Sequence, residues 1–128
     1  MKRLIAGLII LTLFLVAGIS FAAVAVTHVR TLGTVDSDEI RKDVTIAMDA
    51  SYTGSGGEAL AASALGYTTV YSGFCDPSGG YVFQYDKANS KLKAFWTSNS
   101  VDGEVLPEVT ATTDMSAQTA VSCRFTGK

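Results

Sequence analysis

Alternation at period two, broken repeatedly by glycine-containing turns, most narrows what this chain can become. Asp43 to Asp49 sets Val44, Ile46 and Met48 on one side and Asp43, Thr45 and Ala47 on the other, the pattern of a half-buried strand. Tyr67 to Cys75 is rich in threonine, valine and aromatic residues and reads as a strand. Asp76-Pro77-Ser78-Gly79-Gly80 after it is turn chemistry. Tyr81 to Tyr85 and Leu92 to Trp96 form two aromatic-rich strands joined through Asp86 to Ser90, a loop of hairpin length. In the second of these, Leu92, Ala94 and Trp96 face one way and line a core, while Lys91, Lys93 and Phe95 face the other and meet water or a partner. Thr119 to Phe125 alternates Val121, Cys123 and Phe125 against Ala120, Ser122 and Arg124, a buried terminal strand.

The remaining segments are less regular. Ala23 to Leu32, with β-branched Thr27, Val29 and Thr31, reads as an edge strand or an extended arm. Gly33 to Lys42 is polar and acidic and reads as a solvated loop. Glu58 to Leu65 carries helix formers closed by Gly66, at most two turns of helix. Ser98 to Gly103 is a further polar loop, and Leu106-Pro107 excludes a central strand there, because proline cannot donate to a ladder. Six or seven short strands and one brief helix predict an all-β, mainly antiparallel fold, a small β-sandwich or barrel. The expected organisation is a signal-like segment over 1–22, an arm and polar loop over 23–43, and a β-rich domain over 44–128.

The N-terminus decides the compartment. Met1-Lys2-Arg3 gives a positive start, Leu4 to Val16 is almost wholly aliphatic, and Ser20-Phe21-Ala22 offers the small residues a signal peptidase reads. Uncharged sequence continues to Val26; as a helix it would span about 35 Å, enough to cross a hydrocarbon core of about 30 Å. Cleavage after Ala22 and a retained anchor with the domain facing outward are therefore both open. A start at Val24 or Val26 from a GTG codon is a third reading, and it removes the export signal. The whole chain has 10 basic and 12 acidic residues; loss of Lys2 and Arg3 leaves 8 against 12, a net charge of −4. The basic residues are scattered among acids, so nucleic acid is not an expected partner, and a membrane is one only if the leader stays.

Little in the chain points to chemistry. Cys75 and Cys123 lie at the ends of two expected strands, and either pair in an oxidising compartment or stay as two buried thiols. His28 is the sole imidazole and sits in the arm, so nucleophilic catalysis has no base held by a third group. Two cysteines and one histidine make no zinc set. The acids Asp36, Asp38, Glu39, Asp76, Asp86, Asp102 and Glu104 fall in loops, where solvation explains them. Asp36, Asp38 and Glu39 lack the spacing of a calcium loop, and Gly54-Ser55-Gly56-Gly57 lacks the lysine of a phosphate cradle. No enzyme, no cofactor and no metal are expected. Tyr81, Phe83, Tyr85 and Phe95 put aromatic side chains on both faces of one hairpin. Either both faces are covered, or one is an apolar strip for a protein partner or a sugar ring.

From Val44 to Lys128 the chain resembles small head-associated virion proteins of tailed bacteriophages, decoration or cement-like components. The matching features come in order. They are Val44-Thr45-Ile46 leading to Asp49-Ala50-Ser51-Tyr52, Gly56-Gly57-Glu58-Ala59-Leu60 with Leu65-Gly66, and Gly80 to Asp86 followed by Lys91-Leu92-Lys93-Ala94-Phe95. Leu106-Pro107-Glu108-Val109, Asp114-Met115-Ser116 and a last strand ending at Gly127-Lys128 complete them. The resemblance implies a non-enzymatic capsid protein without a cofactor, whose partners are the major capsid protein or other virion subunits, with homo-oligomers open. This chain departs from that group in its leader, in Tyr67, in Thr53-Gly54-Ser55, and in Cys75 and Cys123. Thr27, Val29 and Thr31 of the arm and Lys91, Lys93 and Phe95 of the outward hairpin face are the expected contact residues. The alternative is a secreted or surface-tethered bacterial β-sandwich that binds a protein or glycan.

Overall fold

The computed structural model describes residues 24–36, 38–54, 56–96 and 105–128; the leader over 1–22 and the polar loop Ser98 to Gly103 lie outside the described residues. Seven strands are present among the described residues: β1 (Val24–Asp36), β2 (Glu39–Met48), β3 (Glu58–Ala59), β4 (Val70–Cys75), β5 (Tyr81–Asp86), β6 (Lys91–Trp96) and β7 (Val121–Gly127). All join one antiparallel sheet in the order β1-β2-β7-β4-β5-β6-β3, curled into a half-barrel. The all-β, antiparallel expectation is met by a single curled sheet.

Register sorts the side chains into two faces. Lys42, Val44 and Ile46 of β2 oppose Phe125, Cys123 and Val121 of β7, and Gly73 and Cys75 of β4 oppose the same Phe125 and Cys123. Phe83 and Tyr85 of β5 meet Ala94 and Leu92 of β6, and Glu58 of β3 meets Leu92. This inner face is buried, and the connecting segments fill it with Tyr52, Leu60, Leu65, Tyr67, Val109 and Met115. Loops thus supply the second layer that a sandwich would draw from another sheet. The phenyl ring of Phe125 passes so close to Gly73 that a Cβ there would collide with it. Tyr85 meets the same ring edge-on at 5.2 Å between centroids.

Two expected local structures are corrected. Gly33 to Lys42 is not a loop: β1 runs to Asp36, β2 begins at Glu39, and the two pair from Val24↔Met48 to Asp36↔Glu39. The acidic character belongs to a sheet with one solvated face, where polar residues alternate with Ile40, Lys42 and Val44. Glu58 to Leu65 is not a two-turn helix. Glu58 and Ala59 pair with Leu92 and Lys91, Leu60 N–H donates to Ser90 O at 2.8 Å, and only Ala62–Leu65 winds, as a 3-10 turn. A segment this short nucleates helix poorly, and strand pairing at its start wins. Gly66 stops the turn as expected, in the left-handed region at φ 70°.

Lys42 ties that turn to the sheet. Its ammonium donates to Leu65 O at 3.2 Å and to Gly66 O, and it sits 4.2 Å from the centroid of the Tyr67 ring. The Tyr67 hydroxyl in turn donates toward Phe125 O at 2.9 Å. A lysine on the inner face is therefore satisfied by carbonyls and a π-face.

Candidate interaction surface

Among the described residues, the outer face of the sheet has no such cover. Register lines up one residue from each of five adjacent strands: Asp43, Arg124, Phe74, Gln84 and Lys93, from β2, β7, β4, β5 and β6. Phe74 stands in the middle with 70% of its surface exposed. Arg124 Nε donates to Asp43 Oδ1 at 2.9 Å, and this carboxylate holds the guanidinium pKa above its ordinary value. At the other end, Lys93 Nζ lies 2.9 Å from Asp86 Oδ2. Hydrogen bonds from Asn89 and Lys93 pull the Asp86 carboxyl down to about 2.

Two shallow grooves flank Phe74. One, of about 490 Å³, is polar and lined by Arg41, Asp43, Ser72, Asp76, Ser122 and Arg124. The other, of about 510 Å³, is lined by Val82, Phe83, Gln84, Phe95, Val105 and Leu106. Phe95 and Lys93 therefore share the outer face with Phe74, and Lys91 lies in the same row, opposite Asp86 and Ala59. Phe83 and Tyr85 are buried inward, so the aromatic hairpin is covered on its inner side only. Trp96 belongs to the inner row opposite Tyr81 but ends the strand 48% exposed, which corrects its expected place in the core.

Thr27, Val29 and Thr31 lie elsewhere. They are on β1, with β2, β7, β4 and β5 between them and β6. Val29 and Thr31 oppose Val44 and Lys42, yet both are exposed. Thr27 occupies a bulge, and its hydroxyl donates to Thr45 O at 3.2 Å. Every residue from Thr27 to Thr34 is exposed. The two halves of the expected contact set are thus separate surfaces, an edge and a face.

Phe74 was the residue hardest to anticipate. The β4 ladder shifts register between Val70 and Ser72, so simple alternation from the buried Val70 misplaces it. Counting back from Cys75, which must face inward with Cys123, places Phe74 outside. Those two cysteines are direct cross-strand neighbours and are bonded, with an S–S distance of 2.00 Å.

Buried Glu58 and half-buried Glu108 serve the fold. Glu58 accepts from Thr53 N–H and from Thr53 Oγ1 at 2.8 Å. Glu108 accepts from the Tyr52 hydroxyl at 2.9 Å and from Gly56 N–H at 2.9 Å. The Tyr52 oxygen also accepts Ala94 N–H at 2.9 Å. Burial first, then the neighbouring Glu108 carboxylate, pushes the Tyr52 phenol well above its ordinary pKa, against the Ala94 hydrogen bond that lowers it. Among the described residues, no group of three His, Cys, Asp or Glu side chains is placed to hold a metal ion, and no helix is long and apolar enough to cross a membrane.

Searched against family models, curated proteins and solved structures, the chain finds no match.

Proposed function

We propose that this domain is a non-enzymatic structural component of a phage virion, a decoration or cement-like protein that binds the head lattice. The observation that carries the reading is β1. Its 13 residues form an outer edge of the sheet, and the stretch from Thr27 to Thr34 is bare on both faces. Unpaired N–H and C=O groups on such an edge are a template for a strand of a neighbouring subunit. Phe95, with Leu106 and Val105 beside it, offers a separate apolar anchor. Together they suit burial of roughly 1,200–2,000 Å² at a subunit junction, which stabilises a shell by mass action without any reaction. The ordered resemblance from Val44 to Lys128 agrees with this role.

The test is co-purification. In gradient-purified particles from the natural source, the protein should sediment with capsids, and intact mass should give a formyl-methionine start at Val24 or Val26. Material found only in envelope or secreted fractions, beginning at Ala23, would remove the virion role.

A second reading has one observation of its own. The Cys75–Cys123 bond suits an oxidising compartment and hence an exported or surface-tethered domain whose leader is used. The same mass measurement separates the two.

A further inference from the structure

We propose that the outer face carries a binding site for a neutral oligosaccharide, centred on Phe74 and running along the row Asp43, Arg124, Phe74, Gln84. This site is distinct from the β1 edge and does not depend on which particle or envelope displays the domain.

The chemistry follows from what surrounds the ring. Phe74 is 70% exposed on a sheet face, so its ring offers a flat apolar surface beside polar neighbours. Its direct cross-strand neighbours are polar on both sides, Arg124 on β7 and Gln84 on β5. Arg124, Gln84 and Asp43 are planar groups that can each meet two neighbouring hydroxyls, one as a fork of donors, one as both donor and acceptor, one as acceptor. An aromatic platform flanked by such groups fits a pyranose, which has an apolar C–H face and a rim of hydroxyls.

Charge narrows the ligand further. Arg41 and Arg124 face Asp43 and Asp76 in the same groove, two of each sign, so the site favours neither phosphate nor an amine. Arg124 and Asp43 stay hydrated, at 59% and 35% exposure, so a ligand need not strip water from a buried ion pair. Ser72 and Thr126, hydrogen-bonded to each other at 2.7 Å, add hydroxyls along the same groove wall. Strands about 4.8 Å apart make this four-residue row about 14 Å long, so the ligand is a chain of sugars lying across the strands.

The experiment uses the purified, disulfide-bonded protein. Cellotetraose, chitotetraose, xylotetraose and mannotetraose are added at millimolar concentration, and binding is read by saturation-transfer NMR and by amide shifts. At least one should bind, with shifts clustered on Phe74, Arg124 and Gln84. F74A should weaken that binding at least about tenfold while F74W retains it, and R124A should weaken it too. Phe74 is largely solvent-facing, so F74A should fold, which an unchanged amide spectrum elsewhere verifies. The proposal fails if none of the four binds, if binding survives F74A and R124A together, or if Phe74 instead drives self-association seen by sedimentation. Loss of capsid or envelope association with sugar binding intact would strike only the reading of β1.

Discussion

Cys75 and Cys123 face each other directly across β4 and β7, the two strands at the centre of the inner face, and their bond closes a sequence separation of 48 residues. Both are buried against Phe125 and Val121, so the link sits inside the core. Constraining a loop of this length in the unfolded chain should contribute about 2–4 kcal/mol. The Cys75→Ala/Cys123→Ala variant should lose that amount of unfolding free energy in urea, seen as a lower midpoint. Reducing agent added to the wild-type protein should shift its unfolding in the same direction, and an unchanged midpoint in both would show that the bond does not hold the sheet.

Lys42→Met keeps the aliphatic stem and removes the ammonium. Leu65 O then loses its donor inside the core, and Gly66 O loses one at the core's margin. The expected cost is about 1–3 kcal/mol, read as a loss of stability in chemical denaturation. Amide exchange should quicken first at Gly66 and Tyr67, whose N–H groups close the 3-10 turn onto Ser63 and Ala62.

How much of this was legible beforehand varies by element. The β5–β6 hairpin and β7 could be read directly, because Leu92 and Ala94, and Val121, Cys123 and Phe125, alternate without interruption and every one is buried. Lys42 could not, since what buries it is a pair of carbonyls more than twenty residues away in sequence, and composition alone made it part of a polar loop. Glu58 looked like a helix former and became an inner-face residue because Thr53 supplies its hydrogen bonds. The candidate surface was half visible. Phe95 and Lys93 follow from period two, whereas Phe74 is hidden by the β4 bulge, and the cross-strand row exists only once the strand order is known.

Tyr52 and Tyr67 set the alkaline limit. Burial raises both phenol pKa values above the ordinary 10.0. A raised phenol pKa gives stability that is whole below the unfolded value and lost as pH climbs past it toward the folded value. Urea midpoints should therefore hold steady to about pH 9 and fall above about pH 10. Tyr52→Phe should flatten that fall. At neutral pH it should cost about 1–3 kcal/mol, because Ala94 N–H loses its acceptor and Glu108 keeps only the Gly56 N–H of its two donors.

Asp86 governs the acid side of the hairpin turn. Its carboxyl is held at about 2, against 3.8 ordinarily, first by the Asn89 side chain and then by Lys93. A depressed carboxyl pKa contributes stability above the unfolded value and loses it as pH falls toward the folded one, so the window is about pH 4 to 2. Carboxyl-carbon NMR titration should find Asp86 ionised through most of that window. Asn89→Ala should move its midpoint upward, and a midpoint already at the ordinary value in the wild type would mean the turn contacts do not persist in solution.

The β1 edge gives the functional reading its sharpest mutational test. Val29 is 41% exposed on a strand whose outer rim is unpaired, so Val29→Lys removes little buried surface and should change stability by less than about 1 kcal/mol. A lysine at that position is also what blocks strand addition on natural sheet edges. The variant should therefore fold like the wild type, keep the Cys75–Cys123 bond, and fail to join capsids in a reconstitution assay. Phe95→Ala on the outer face should weaken the same association separately, because β1 and β6 are different surfaces. If Val29→Lys decorates heads as well as the wild type, strand addition through β1 is not how this domain docks.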